Sequence, residues 1–489
     1  MSQPNYYMHP NRQYRDNPLI EALGQPLTMQ QFYALSELPF INNVDLTGVD
    51  ASLHGYYIRT LIDQLNDVYA VQDEAYRLYD VMRRMIEAGY DKRNPLRTDI
   101  RRILTAIDRD KTNPNQVAYL SSLELYSVLQ SYLLIGLSGR GKSFMVRRIL
   151  KLFDQVIEHF NYTDHKGQEH TLDQSQVTYL YVEIHERRGQ KALLLNMLEA
   201  LDEVTGQAYA YEHRNRSVNE LITIVRKLLI GHSVGLVVVD EAQNLAKSSR
   251  NEVLSINEKT SIKFVEELFN RVGVPIMLVG TFATLALFER ETTIGRRVTK
   301  NGSMLLASCD SNSSFWKRFI RLLCQTQLLK NQSTSVDTLC RHIHYLSAGI
   351  PAIASSLVRA TLAYLTFLEP QDQDLSIAAL DLVFNREFRV LNPALTALRR
   401  GDYHKFEDFE PMLMLESVAS HSDVMTQITP PPAMNLVQGV VELSDKPVLS
   451  QIEVQKRKKL DQLSPSVLLG QLGYNLDKVH VQNLKRQAN

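Results

Sequence analysis

The residues best placed to do chemistry lie in "GLSGRGKS", Gly136 to Ser143, where three glycines and a lysine separate an apolar, β-forming run from an amphipathic helical one. Gly136, Gly141, Lys142 and Ser143 occupy the fixed positions of the pattern GxxxxGK[ST]. A loop of this kind curls so that its backbone N–H groups face inward at phosphate oxygens, and the helix beginning at its end adds a positive dipole end. Lys142 is expected to reach the β- and γ-phosphates of ATP and Ser143 to ligate Mg²⁺, with Ser138, Gly139 and Phe144 completing the nucleotide-binding stretch.

Hydrolysis needs an acidic partner at the end of a neighbouring strand, and "GLVVVDEAQNL" supplies one. Asp240 closes the apolar run and is expected to hold Mg²⁺ through water, while Glu241 orients or deprotonates the attacking water. Alone, such an Asp-Glu pair reads more simply as a helix N-cap with a first-turn carboxylate; the glycine loop upstream points it to catalysis. The run "VPIMLVGT" ends on Thr281, whose hydroxyl either senses the γ-phosphate or caps the helix that follows. Further on, "FERETTIGRRVTK" carries Arg290, Arg296 and Arg297. In a ring or helical assembly the Arg296 and Arg297 pair is the preferred arginine finger for a neighbour's nucleotide; otherwise these are arginines on a solvated helix end.

These groups need a scaffold to hold them. From residue 131 to about 285 the apolar runs "YLLIG", "VTYLYVEI" (Val177 to Ile184), "GLVVVD" (Gly235 to Asp240) and "VPIMLVGT" (Val274 to Thr281) alternate with helical stretches. Near-continuous apolar strands separated by helices predict an α/β fold with a parallel sheet covered on both faces. Around that core, 131–300, the chain divides into a tyrosine-rich N-terminal arm for partner contact, 1–54, and a helical extension, 55–130. A helical lid, 301–415, a polar linker around "TPPPAMN", 416–450, and a partner-binding tail, 451–489, follow.

Composition narrows the classes further. At 489 residues, 44% apolar and 22% charged, the chain has ordinary soluble character and can bury a sizeable core. Lys plus Arg and Asp plus Glu are each 54, so any contact with DNA must come from a local patch. Cys309, Cys324 and Cys340 have neither CxxC spacing nor a zinc-ligand pattern, which suits a reducing cytosol. No apolar run approaches the about 20 residues of a membrane span, and the start lacks a signal-like apolar region. A cytoplasmic location without membrane contact is expected.

Taken together, "YRDNPLIEAL" (Tyr14 to Leu23), "GYDKRNP" (Gly89 to Pro95), the glycine loop, the Asp240 and Glu241 element, "GVPIMLVGT" and "NPALTALRRGD" (Asn392 to Asp402) resemble TnsC. TnsC is the AAA+ regulator of TnsABCD-type cut-and-paste transposons, related to the TniB ATPases, and the resemblance covers residues 14 to 405. It implies an AAA+ P-loop NTPase core with a helical lid, in a bacterial cytoplasmic ATPase that assembles as a ring or helical filament on double-stranded target DNA. Such a protein would connect a target-selection protein of the TnsD or TniQ type to the transposase subunits. By position, Gly136 to Ser143 become the Walker A loop, Asp240 and Glu241 Walker B, Thr281 the first sensor and Arg296 or Arg297 the finger. One departure stands out: "SAGIPAIASSLVRATL" has no arginine near Gly349, where many AAA+ proteins place a second sensor. That implies slow hydrolysis or a group supplied by a neighbouring subunit.

In the resembled family the region after the second strand faces the DNA backbone, and here it reads "HERRGQK", with Arg187, Arg188 and Lys191. The other reading is a solvated helix N-terminus. No basic stripe interleaved with aromatics is present, so sequence-independent phosphate contact is expected. The tail places "KRKK" before Leu460, Leu463, Val467, Leu468, Leu469 and Leu472, a patch that either docks transposase or folds back on the body. Rival classes are a nucleotide-gated DNA scaffold without turnover and a helicase- or clamp-loader-like remodelling ATPase. Glu241 argues against the first, and the lack of pore-loop or helicase motifs against the second.

Overall fold

The computed structural model describes residues 4–109, 131–184, 190–245, 264, 272–287, 302–324, 328, 329, 331, 333–389 and 391–400. The strands, in chain order, are β1 (Ser131–Gly136), β2 (Val156–Thr163), β3 (Glu169–Val177), β4 (Tyr179–Glu183), β5 (Leu236–Asp240), β6 (Ile276–Gly280) and β7 (Ser303–Leu306). The helices run from α1 (Pro18–Glu21), α2 (Met29–Ser36), α3 (Ala51–Gln64), α4 (Ala75–Asp91) and α5 (Thr98–Arg109) to α6 (Lys142–Leu150), α7 (Gln190–Thr205), α8 (Tyr209–His213) and α9 (Val218–Gly231). After β7 come α10 (Ser314–Leu323), α11 (Val336–Ser347), α12 (Pro351–Leu365), α13 (Ile377–Glu387) and α14 (Asn392–Arg399). The chain divides into two compact units.

The first unit holds the chain up to Ser36 and Val71–Ala307. Its sheet is five-stranded in the order β4-β5-β6-β1-β7, and every pairing is parallel. β1, β5 and β6 are buried along their whole length, as unbroken apolar runs require when helices cover both faces. The register sets Ile135 beside Gly280 and Val239 beside Leu278. The C-terminal ends of β1, β5 and β6 therefore emerge together, on the edge where open parallel sheets bind ligands.

Three features depart from the sequence reading. The predicted strand Val177 to Ile184 is split, because Val177 closes β3 and the sheet strand begins at Tyr179. β7 pairs with β1, so the sheet continues to Leu306 and does not end at 300. Between α6 and β4 the chain forms an antiparallel hairpin, β2 with β3, whose polar composition conceals it. Its one plain signal is the "DHKG" turn, where Gly167 takes φ 79°.

The two motifs most specific to the family resemblance meet in this unit. Asn17 caps α1 by accepting from the Leu19 N–H at 3.1 Å and donates through Nδ2 to the Tyr90 carbonyl at 2.9 Å. Asn94 Nδ2 donates to the Asp16 carbonyl at 2.7 Å. From the second motif, the Tyr90 hydroxyl donates to the Ser233 carbonyl at 2.9 Å and Arg93 Nη1 to that of Val234 at 2.6 Å. The second motif thus clamps the backbone that leads into β5, and the first holds the second in place. The hairpin receives the start of the chain: Tyr162 donates to Glu21 Oε2 at 2.7 Å and Gln176 Nε2 to the Leu19 carbonyl at 2.9 Å. The stretch expected as a single arm, 1–54, is divided between the two units at Ser36.

Among the described residues, the second unit joins Glu37–Ala70 to the chain from Ser308 to Arg400. Its described residues are helical apart from isolated bridges such as that of Leu38 with Tyr69. Serines cap its helices: Ser313, Ser335 and Ser376 each accept from the N3 backbone N–H of α10, α11 and α13. Trp316 is fully buried and donates to the Cys340 carbonyl at 3.3 Å. Cys309, Cys324 and Cys340 are all buried and form no disulfide. Among the described residues no single helix is long and apolar enough to cross a membrane.

Candidate functional site

The glycine loop leaves β1 and enters α6 through two left-handed residues, Gly139 at φ 75° and Gly141 at φ 88°. A side chain at either would be strained, and Gly141 is the N-cap of α6. Lys142 Nζ donates to the carbonyls of Gly136 and Leu137, each at 2.9 Å, which folds the ammonium back over the loop. Gly136 itself sits beneath, where a β-carbon would come within 2.5 Å of the Leu306 carbonyl oxygen.

The loop is braced from behind by a residue at one of the motif's unspecified positions. Arg140 is buried; it donates through Nη1 to Gln72 Oε1 at 2.7 Å and through Nε to the Ala307 carbonyl at 2.9 Å. Gln72 Nε2 returns a bond to the Arg140 carbonyl at 3.3 Å, and Glu74 Oε1 lies 3.2 Å from Nη2. The segment before α4 therefore fixes the loop's shape through charge-assisted hydrogen bonds.

At the end of β5, Asp240 is 1% exposed. Its Oδ1 accepts from the Glu241 N–H at 2.8 Å and its Oδ2 from the Tyr181 hydroxyl. Burial, followed by the Asp240 carboxylate, raises the Tyr181 pKa well above its ordinary value, so this hydroxyl remains a donor. Glu241 takes φ 57°, a left-handed conformation that a non-glycine residue holds only where its surroundings enforce it. The turn Ala242–Leu245 follows, and Gln243 folds back so that its Nε2 donates to Glu241 Oε2. At the end of β6, the Thr281 N–H donates to Gln243 Oε1 at 3.1 Å, while the Thr281 hydroxyl is buried with no hydrogen-bond partner among the described residues. The hydroxyl thus makes no cap to the turn Phe282–Leu287 that follows.

These pieces surround a cleft of about 490 Å³ lined by Ser138, Gly139, Gly141, Lys142, Ser143 and Phe144 on one side and Glu241, Gln243, Thr281 and Ala283 on the other. Arg147 completes the wall. It stacks on the Tyr181 ring at 4.8 Å and pairs with Glu183. Gly136 and Asp240 lie under the wall and do not line it. Lys191 is half-buried in the first turn of α7. Arg187, Arg188, Arg290, Arg296, Arg297 and the segment 416–489 lie outside the described residues.

The wall suits a nucleoside triphosphate with Mg²⁺. Glycines give backbone N–H groups to the cleft, an ammonium and a helix N-terminus supply positive charge, and the orphaned Thr281 hydroxyl awaits a polar partner. Ser143 and Asp240 would hold the metal. No cluster of three or more His, Cys, Asp or Glu able to hold a metal occurs among the described residues. Arg140, Arg147, Tyr181 and Gln243 were not foreseen. Only Gln243 carried a signal, its place two residues beyond Glu241 in "DEAQN".

Residues 128–286 match the model of a family described as an AAA domain. Among solved structures, the ORC2 protein of Aeropyrum pernix with ADPNP and ADP is 16% identical, with 59% of this chain and 68% of that chain covered, at a TM-score of 0.34. The HORMA:CdnC:Trip13 complex of Escherichia coli MS115-1 is 14% identical, covering 66% of this chain and 90% of that chain, at 0.34. A Walker-type ATPase of Pyrococcus abyssi is 14% identical, covering 65% and 76%, at 0.30. No curated protein matches the chain.

Proposed function

We propose that this chain, whose residues 128–286 form an AAA-type P-loop ATPase domain, hydrolyses ATP and uses the nucleotide cycle to assemble on target duplex DNA as a regulator of transposition. The observation that carries the ATPase part is the meeting in one cleft of Lys142 and Ser143 with Glu241 and Thr281. Lys142 neutralises phosphate charge, and the loop N–H groups orient the phosphate chain. Glu241, held rigid by its turn, orients and deprotonates the attacking water, and Thr281 offers its hydroxyl to the γ-phosphate. Ser143 and Asp240 would hold Mg²⁺, which would supply charge withdrawal from the phosphate oxygens.

The transposition part rests on the TnsC and TniB resemblance, whose most specific motifs interlock before β5. It carries with it a ring or filament of this chain, a target selector of the TnsD or TniQ type and transposase subunits as partners, and a trans finger from Arg296 or Arg297. The test is co-sedimentation and electron microscopy with duplex DNA. A non-hydrolysable ATP analogue should support assembly whatever the sequence, and ADP should not. Replacing Arg187, Arg188 and Lys191 with alanine should flatten the slope of log affinity against log salt by about 0.9 for each phosphate left without its cation. An unchanged slope would move the DNA face elsewhere, and no assembly in any nucleotide would sink the proposal.

A further inference from the structure

We infer that Gln243 is a positioning residue that aims the Glu241 carboxylate and ties it to the end of the neighbouring strand; this rests on the reading that Glu241 acts in ATP hydrolysis. Glu241 leaves β5 with a left-handed backbone, φ 57°, and its side chain stands at the cleft wall. A carboxylate on such a turn has several rotamers open to it, of which few point at a water attacking the γ-phosphate.

The carboxamide of Gln243 selects among them. Its Nε2 donates to Glu241 Oε2, and its Oε1 accepts from the Thr281 N–H at 3.1 Å. One side chain, only 6% exposed, thereby links the acidic end of β5 to the end of β6. Gly280 keeps the space clear, since a β-carbon there would stand 2.8 Å from Gln243 Oε1. The turn is itself anchored: the Asn244 N–H donates to the Glu241 carbonyl at 2.9 Å and Asn244 Nδ2 to the Ile184 carbonyl at 2.6 Å. The Glu241 carboxylate and the Thr281 backbone therefore share one buried partner.

Two variants separate donor from acceptor. Gln243→Leu removes both bonds at similar volume. Gln243→Glu keeps an acceptor for the Thr281 N–H but loses the donor to Glu241. In the full chain, both should lower the kcat of ATP hydrolysis by about tenfold to a hundredfold, the range for supporting groups that orient a reacting one. Affinity for ATP, read by a fluorescent analogue, should fall by less than kcat, since Gln243 lines the cleft but aims the carboxylate. Against a Glu241→Gln background, neither change should lower kcat further, because the carboxylate it aims is gone. Parental kcat in Gln243→Glu, or a loss in the Glu241→Gln background equal to that in the parent, would overturn the inference while leaving the hydrolytic reading intact. Should Gln243→Leu fail to fold, Gln243→Glu decides alone. A parent chain that binds ATP but releases no phosphate would overturn the hydrolytic reading, and this inference with it.

Discussion

The hydroxyl of Tyr181 on β4 donates to Oδ2 of Asp240 on β5, while the Glu241 N–H occupies Oδ1 at 2.8 Å. Both oxygens of a carboxylate that is 1% exposed are thus satisfied by protein donors before any metal is considered. Arg147, from the helix that opens at the phosphate loop, stacks on the same Tyr181 ring. The metal-ligand candidate is coupled through one aromatic side chain to the opposite wall of the cleft.

Replacing Tyr181 with phenylalanine should therefore free Asp240 Oδ2 and leave the ring stack in place. A hydrogen bond to a charged group contributes about 1.5–3 kcal/mol, and chemical denaturation should show a loss toward the lower end because Tyr181 is only half-buried. The Mg²⁺ concentration that half-saturates hydrolysis should shift. Unchanged stability and unchanged Mg²⁺ dependence together would show that the bond does nothing for Asp240.

The N-terminal stretch should respond to acid. His159, 1% exposed on β2, accepts or donates through Nδ1 with the Tyr6 hydroxyl at 2.8 Å and through Nε2 with Gln176 Oε1 at 2.7 Å. Burial pushes the Tyr6 hydroxyl up to about 12, so it stays a donor and Nδ1 must accept. Nε2 then carries the ring's single proton to Gln176. Burial also holds His159 below its ordinary value of 6.5, against the opposing pull of Gln176 and Glu158. A depressed folded value means that the unfolded or detached state takes up the proton more readily. The stabilisation is present above pH about 6.5 and is lost as the pH falls through the folded value. Amide exchange of residues 4–24, corrected for intrinsic rates, should speed up from pH 7.5 to 5.5 relative to the sheet. His159→Gln should abolish that difference, and equal protection at both pH values would contradict it.

The parts legible in the sequence were those with strong local signals. The glycine loop and the buried runs of β1, β5 and β6 announce a parallel sheet and its ligand edge, since burial on both faces leaves apolar stretches with no alternation. β7 was hidden by its four-residue length, and the hairpin by a polar pattern such as "EHTLDQSQ" that suits a strand exposed on one face. In the cleft, the motif positions could be read from spacing. Arg140, Tyr181 and Gln243 could not, because their importance lies in partners distant along the chain, Gln72, Asp240 and Thr281. Asn17 and Tyr90 stand in the sequence as members of family-like motifs; only the structure shows that they bond each other and that the Tyr90 hydroxyl reaches the backbone before β5.

The central claim is that the cleft between Lys142 and Glu241 hydrolyses ATP, and it is tested most directly by measuring phosphate release and ATP binding side by side. The parent should do both, and Lys142→Ala should lose binding, because clustered phosphate charge is left uncompensated. Glu241→Gln should bind ATP with parental affinity and release phosphate more slowly by about 10²–10⁴, the share of a general base. Phosphate release by Glu241→Gln at the parental rate would contradict the account.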